Sequence, residues 1–68
     1  MNVILNGERR EFSEESTVAD AVAAAGGSDA ERGVAVAVDG EVLPRREWTE
    51  RVLSDGENVE VVHAVQGG

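Results

Sequence analysis

The chain has 68 residues, which predicts a single domain over 1–68, and a chain this short buries only about 60% of the surface that its unfolded form exposes. That leaves little room for a deep catalytic cleft, so we expect a small partner protein rather than a self-sufficient enzyme. Fourteen acidic residues face six arginines and no lysine, for a net charge of −8, and this argues against nucleic-acid binding because a phosphate backbone would repel such a surface.

Two absences narrow the function further. The chain has no cysteine, which excludes disulfides, thiolate metal sites and a cysteine nucleophile. No apolar run approaches the roughly 18 residues of a membrane span, and the N-terminus lacks a basic region followed by an apolar stretch, so we expect a cytoplasmic protein with no membrane contact. The acidity has two interpretations: solubility, or steering of the domain onto a basic partner surface.

The first predicted element is a β-hairpin. The apolar segment 3–5 is followed by Asn6-Gly7 and then by the polar segment 8–12. Asn-Gly is preferred in a type I′ turn because both of its positions tolerate positive φ.

A helix is predicted next, with Ser16 or Thr17 as its N-cap and Asp20 placed for a capping box with Thr17. Gly26-Gly27 is predicted to end it. Its apolar residues recur at i, i+3, i+4 and i+7 and therefore share one stripe, whose small side chains allow close approach to a sheet: Val18, Ala21, Val22 and Ala25.

The segment 34–38 alternates valine and alanine. That pattern fits a strand buried on both faces, or one packed on a helix by its valines, and we expect it to be the central strand. An Asp39-Gly40 turn and a short strand over 41–43 follow, ended by Pro44, which cannot donate to a sheet ladder.

The polar segment 45–51 surrounds the only tryptophan, and Val52-Leu53 is expected to return to the core. A third turn over 54–58 precedes a last strand over 59–64, which runs directly into the residues 65–68. The order predicts an α+β domain of the β-grasp, or ubiquitin-like, fold: a mixed sheet of about five strands packed on one main helix, with a flexible C-terminal Gly-Gly tail.

Three stretches of the chain resemble the ubiquitin-like sulfur carrier family of thiamine biosynthesis (ThiS). They are 38–48, with the piece Pro44-Arg45-Arg46-Glu47-Trp48; 53–61, with the turn Asp55-Gly56; and 65–68, which ends in Gly67-Gly68. A Gly-Gly end alone is a weak signal, but these motifs in this order are specific, and the resemblance covers the whole chain.

The resemblance implies a mechanism centred on Gly68. In the family, a ThiF-like adenylating enzyme uses ATP and Mg to convert the C-terminal carboxylate to an acyl-adenylate. Sulfur from a donor such as a cysteine desulfurase then replaces AMP, and the resulting thiocarboxylate serves a thiazole synthase. The carrier itself is no enzyme, has no catalytic residue or metal site, and binds no permanent cofactor. Gly67, Gln66 and Val65 are implied to give the tail access to the partner's active site.

Geometry supports that role for the tail. An extended chain gains at most about 3.3–3.6 Å per residue, so Val65 to Gly68 reach on the order of 13 Å beyond the sheet. Glycine also allows close backbone approach. Two alternatives stay open: a sulfur carrier of the molybdopterin-synthase type, and a ubiquitin-like protein modifier or plain interaction module.

Three other residues stand out. His63, the only histidine, is interpreted as a partly exposed strand residue before it is considered a general base. Trp48 is interpreted as covering one edge of the core, with an interface anchor as the alternative. Arg45 and its neighbour Arg46 are interpreted as solvated charges, with phosphate or acidic-partner contact as the alternative. A sheet edge or a hydrophobic sheet face next to the last strand is the expected docking region.

Overall fold

The computed structural model describes residues 1–26 and 33–63, and in them one helix packs against a mixed five-stranded sheet. A 3-10 helix over Arg45–Glu47 follows the short strand Glu41–Val42. This is the predicted β-grasp arrangement; the tail 65–68 lies outside the described residues. The elements are β1 Asn2–Leu5, β2 Glu8–Glu11, α1 Val18–Ala24, β3 Val34–Val38, β4 Glu41–Val42 and β5 Asn58–His63.

The strand order is β2-β1-β5-β3-β4, with β1 and β5 parallel and the other neighbours antiparallel. The prediction that 34–38 is the central strand is therefore wrong, because β5 takes the middle position and β3 is next to the edge strand β4. Of the two interpretations of its pattern, packing on the helix is correct: Val36 and Val38 are buried and Ala35 is exposed.

The opening hairpin forms as predicted. Leu5 pairs with Glu8, so Asn6 and Gly7 form a two-residue turn, and their φ values of 50° and 83° are both positive, as type I′ requires. Every residue of β2 is exposed and charged. A charged edge strand discourages pairing with other chains.

Helix α1 also begins as predicted. Thr17 is its N-cap, and the Asp20 carboxylate accepts a hydrogen bond of 2.8 Å from the Thr17 backbone N–H within the capping box. After α1, Gly26 has a φ of 88°, the left-handed conformation that commonly ends a helix. Gly27, the other half of the predicted stop, lies outside the described residues.

The core lies between α1 and the sheet and consists mostly of valines. Trp48 is its largest fully buried side chain, and Leu53 joins it, as expected. Val52 does not: 47% of its surface is exposed, because it forms an isolated antiparallel bridge with Thr17 at the rim. The buried apolar residues are Val3, Leu5, Val18, Ala21, Val22, Val36, Val38, Trp48, Leu53, Val59 and Val61.

Candidate functional site

Strand β5 leads directly to the predicted reactive end of the chain. Val59 and Val61 turn into the core with at most 5% of their surface exposed, which fixes the strand against the helix. The description ends at His63. The predicted site residues all follow it and lie outside the described residues, so their roles stay predictions: Val65, Gln66, Gly67 and Gly68.

The hairpin turn holds β5 from one side. The Asn6 backbone N–H donates to the Val59 carbonyl at 2.9 Å, and the Asn6 Oδ1 accepts from the Val61 N–H at 2.7 Å. Since β1 ends at Leu5, the Asn6 side chain continues the parallel ladder by one further hydrogen bond. The last strand is thus fixed two residues before its end.

A second turn holds the beginning of β5 from the other side. The Asp39 Oδ1 accepts from the Asn58 N–H at 2.9 Å, and the Asp39 N–H donates to the Asn58 carbonyl at 2.7 Å. Asp39 has a φ of 48°, and Gly40 follows at 88°. Asp39-Gly40 therefore closes the β3–β4 turn and also fixes a neighbouring strand.

The loop before β5 contains a buried charge that the sequence did not reveal. Glu57 is only 6% exposed; its Oε2 accepts from Arg51 at 2.6 Å and its Oε1 accepts from the Ser54 N–H at 3.0 Å. Arg51 also donates to the Val52 carbonyl at 2.7 Å. The segment was interpreted only as a turn, and a buried glutamate has no sequence signature apart from a nearby arginine.

His63 occupies the exposed strand position that was predicted for it, opposite Val34 in the register. Across residues 1–26 and 33–63, no group of three or more His, Asp or Glu side chains is arranged to hold a metal ion. Nothing in its surroundings assigns His63 a chemical role.

Trp48 is a core residue, as the first interpretation had it. It is 1% exposed, and its Nε1–H donates to the Leu43 carbonyl at 3.0 Å. The Arg45 guanidinium lies 5.2 Å from the centre of the Trp48 ring, within cation–π range. Arg45 and Arg46 are both exposed. Arg45 also makes defined contacts, so it is more than a solvated charge.

The sheet has a second surface, on the side opposite α1, which we call the open face. Strand alternation and register place ten side chains on it, and two of them are large exposed hydrophobic groups, Val42 at 77% and Val62 at 60% exposure. The docking region was predicted to lie next to β5 without individual residues, although alternation about Val59 and Val61 indicates Glu60 and Val62. The open face comprises Asn2, Ile4, Arg9, Glu11, Ala35, Ala37, Val42, Asn58, Glu60 and Val62.

Other surfaces of the described residues are less distinctive. A shallow depression between the hairpin and the end of α1 is lined by residues that carry none of the predicted chemistry: Leu5, Asn6, Glu8, Arg10, Ala24 and Ala25. Among the helices within 1–26 and 33–63, none has the length and apolar character needed to cross a membrane.

The fold, and a last strand fixed on both sides, define a β-grasp domain of the ubiquitin-like class. A family model described as the ThiS family matches residues 3–68, so the chain belongs to the ThiS family. This is a family of small sulfur carrier proteins of thiamine biosynthesis.

Two solved structures are similar along the whole chain. The crystal structure of the thiamine biosynthesis protein ThiS from Geobacter metallireducens is 30% identical with a TM-score of 0.77, and the similarity covers 100% of both chains. The NMR solution structure of a thiamine biosynthesis protein from the same organism is 31% identical with a TM-score of 0.78, covering 100% of this chain and 88% of the other. No curated protein in the comparison matches.

Proposed function

We propose that this chain carries sulfur on its C-terminal Gly68, as a thiocarboxylate that donates the sulfur to the thiazole ring of thiamine. One observation carries the proposal: the family match extends through Gly67-Gly68, and the similarity to the Geobacter ThiS structure spans both chains completely. A carrier that reacts at its terminal carboxylate must resemble its family up to the last residue, so the match has to include the C-terminal end.

The chemistry follows from the charge of a carboxylate. A C-terminal carboxyl group has an ordinary pKa of about 3.3–3.7, so at neutral pH it is an anion that resists nucleophilic attack. In the first proposed step, a carboxylate oxygen bonds to the α-phosphorus of ATP and pyrophosphate leaves. In the second, hydrosulfide attacks the acyl carbon, AMP leaves with the electron pair of the broken carbon–oxygen bond and a proton is released, so that a carbon–sulfur bond replaces a carbon–oxygen bond. Where the persulfide of a desulfurase is the nucleophile, the product is an acyl disulfide, and a thiol reductant then cleaves its sulfur–sulfur bond to leave the thiocarboxylate.

The described residues support the proposal by what they do for β5. Asn6 and Asp39 hold the strand by hydrogen bonds of 2.7 and 2.9 Å, while Val59 and Val61 anchor it in the core. A partner that docks on the domain therefore meets a strand with a defined position immediately before Ala64. Positioning of this kind lowers the entropic cost of bringing two reacting groups together.

The partners in the proposal supply everything else. An adenylating enzyme of the ThiF type binds the ATP and Mg, a desulfurase or similar donor provides sulfur, and a thiazole synthase receives it. The carrier is a consumed and reloaded co-substrate, with no permanently bound cofactor and no catalytic residue of its own. Since adenylation consumes ATP, the proposal places the protein in the cytoplasm.

The direct test is the intact mass of the full chain after incubation with the adenylating enzyme of the same organism, ATP and sulfide. We expect the mass gain of one oxygen-to-sulfur exchange, located in the C-terminal fragment. An unchanged mass, with an enzyme shown to be active on its own carrier, would contradict the proposal. Growth of a deletion strain with and without thiamine then identifies the pathway that receives the sulfur.

A substitution at the reactive residue tests the steric part of the proposal. We expect Gly68→Ala to slow adenylation severely, because a Cβ next to the acyl carbon obstructs the close backbone approach that glycine allows. ATP–pyrophosphate exchange measures the step, and the far-UV circular dichroism should not change. Exchange at the wild-type rate would refute the steric account.

A chain extended by one residue after Gly68 is a second test, and thiocarboxylate detected on it would refute the proposed position of the reacting carboxylate. It keeps both glycines but moves the terminal carboxylate by one residue, about 3.3–3.6 Å, away from the α-phosphate. We expect no thiocarboxylate on this variant. Lysine-linked conjugates of the wild-type chain would instead favour the protein-modifier alternative.

A further inference from the structure

We propose that Asn6-Gly7 is a deamidation site that the folded hairpin keeps unreactive, and that conversion of Asn6 to isoaspartate detaches the hairpin turn from β5. The inference goes beyond the proposed function and does not depend on it. Its evidence is the sequence of the turn, the backbone conformation of its two residues, and the hydrogen bond between the Asn6 side chain and the Val61 N–H.

The reaction uses the backbone nitrogen that follows an asparagine. Hydroxide removes the Gly7 amide proton, and the nitrogen bonds to the Asn6 Cγ; the Cγ–Nδ2 bond breaks, and Nδ2 takes a proton from water and leaves as ammonia. Water then opens the resulting succinimide ring at one of its two carbonyl carbons. Cleavage at Cγ gives aspartate, and cleavage at the backbone carbon gives isoaspartate. No atom is oxidised or reduced, and water is the only co-reactant.

Among the three asparagines of the sequence, Asn6 is the one whose neighbour leaves this nitrogen accessible. Glycine has no Cβ to shield its N–H. Both turn residues are exposed, and a Cβ placed on Gly7 would meet no heavy atom within 4 Å beyond its chain neighbours. Asn2 and Asn58 lie in strands, and each is followed by a valine, whose branched Cβ crowds the nitrogen. They are internal controls for the same chemistry.

The turn conformation keeps the two reacting atoms apart. Asn6 and Gly7 have the φ values of a type I′ turn, 50° and 83°, and the first central residue of that turn has a ψ of about 30°. At this ψ the Gly7 nitrogen lies nearly opposite the Asn6 Cβ about the Cα–C bond, whereas ring closure needs both on the same side. The backbone must therefore leave the turn conformation before the ring can form.

The contact with β5 opposes that movement. The Asn6 Oδ1 accepts from the Val61 N–H at 2.7 Å, which directs the side-chain amide toward β5, and the Asn6 N–H donates to the Val59 carbonyl at 2.9 Å. The side-chain hydrogen bond must break before Cγ can turn to the Gly7 nitrogen. Reaction in the native domain thus requires local opening between the hairpin and β5, and its rate is reduced by the small population of the open state.

The two products differ in their effect on β5. Aspartate keeps an acceptor oxygen for the Val61 N–H. Isoaspartate routes the backbone through the side-chain methylene, which adds one carbon to a two-residue turn and leaves the carboxylate attached directly to Cα. The turn then no longer matches the register in which Leu5 pairs with Glu8. Since Val61 lies two residues before the end of β5, isoaspartate loosens the strand that leads to the tail.

The first test compares the full chain in native buffer with the same chain in guanidinium chloride, at one mildly alkaline pH and one temperature. Mass spectrometry of proteolytic fragments measures the exchange of NH2 for OH at each asparagine, and electron-transfer fragmentation distinguishes isoaspartate from aspartate. We expect Asn6 to react at least about tenfold faster in the unfolded chain, since structure protects it in the native domain. Asn2 and Asn58 should be slower than Asn6 in the unfolded chain.

Two results would overturn the proposal. A folded chain that reacts at Asn6 as fast as the unfolded chain removes the protection by the hairpin. An unfolded chain in which Asn6 is no faster than Asn2 and Asn58 removes the site itself.

A pair of valine substitutions tests the part played by β5. Val61→Ala removes core packing at a residue that is 5% exposed but keeps the N–H that binds Asn6. We expect native-state deamidation at Asn6 to rise at least about fivefold, because the open state is more populated. Val52→Ala makes the same change at a valine that is 47% exposed beside Thr17, and should stay within about twofold of wild type. Circular dichroism checks that both variants are folded, and a wild-type rate for Val61→Ala contradicts protection by β5.

The last measurement concerns the product. The isoaspartate form is separated from the reacted chain and unfolded in urea beside Asn6→Asp, with Trp48 emission as the signal. We expect a lower urea midpoint for the isoaspartate form than for Asn6→Asp, which should lie close to wild type. Equal midpoints would overturn the detachment of the turn from β5. None of these measurements involves sulfur transfer, so their failure leaves the proposed function unaffected.

Discussion

Glu57 is the residue whose substitution should selectively disturb the loop that precedes β5. Both of its carboxylate oxygens are used, one by the Arg51 guanidinium at 2.6 Å and one by the Ser54 N–H at 3.0 Å, and the side chain is only 4% exposed. A buried carboxylate is tolerated when its hydrogen bonds are complete. Here its hydrogen bonds to Arg51 and Ser54 close the loop that precedes β5.

We expect Glu57→Ala to lower the free energy of unfolding by about 2 kcal/mol, because hydrogen bonds to a charged group are lost and the Ser54 N–H loses its acceptor. Glu57→Gln should cost less, since an amide oxygen still accepts from Ser54. Urea unfolding followed by Trp48 emission measures both, because the only tryptophan is buried in the native state. The exposed Glu50→Ala serves as control, and an equal loss there would contradict this account.

At the residue scale, the burial of apolar side chains was predicted well from the sequence, and the burial of a charged side chain was not. The core positions of Trp48 and Leu53 were predicted because large apolar side chains have few alternatives to the interior of a small domain. Glu57 was missed because burial of a glutamate depends on where Arg51 and Ser54 lie after folding. Val52 was predicted to lie in the core because it is an apolar residue next to Leu53. The sequence gives no sign of the antiparallel bridge to Thr17, which turns the Val52 side chain outward.

At the element scale, the three Asx-Gly turns do more than reverse the chain. Each uses its Oδ1 to accept a backbone N–H from a distant residue: Asn6 from Val61, Asp39 from Asn58, and Asp55 from Asn2 at 2.7 Å. Two of these hydrogen bonds hold β5, and the third ties the loop before β5 to the beginning of β1. The turns therefore help to set the order of strands around the middle of the sheet.

Substitutions at Asn6 separate its two functions, which are to adopt a positive φ in the turn and to accept a hydrogen bond from the Val61 N–H. Asn6→Gly keeps the positive φ but removes the acceptor for Val61, and we expect a loss of about 1–3 kcal/mol in the free energy of unfolding. Asn6→Ala should lose roughly 1–2 kcal/mol more, because an alanine at a φ of 50° is strained. Urea unfolding gives the values. Asn6→Asp keeps an acceptor oxygen and should be closest to wild type; a larger loss for Asp than for Gly would contradict the assignment.

The sequence predicted the elements better than their arrangement. Alternating valines and Asx-Gly pairs are local signals, so the hairpin, α1 and the strands were predicted, with small shifts at their ends. The order of strands is set by long-range pairing, above all the parallel contact of Ile4 with Asn58, which no local pattern contains. The 34–38 segment was therefore given the central position that belongs to β5.

At the scale of the whole molecule, the charge acts on folding and on docking in opposite senses. A net charge of −8 on 68 residues produces self-repulsion in the compact state, and it would attract a partner whose docking surface is basic. The two effects share one cause but respond differently to salt. The Arg51–Glu57 pair, in which the carboxylate is buried and the guanidinium is half-buried, is screened less than fully exposed charges, so it contributes little to the salt response.

We therefore expect sodium chloride to stabilise the domain while it weakens the complex. Raising the concentration from about 10 mM to about 150 mM shortens the screening length from roughly 30 Å to 8 Å. The urea midpoint should rise, because the self-repulsion among the acidic side chains is screened. Over the same range the rate of association with the adenylating enzyme should fall at least about tenfold, as steered encounters do. A urea midpoint that falls with salt would mean that attractive ion pairs outweigh the net charge. An association rate indifferent to salt would remove the steering role of the acidic surface.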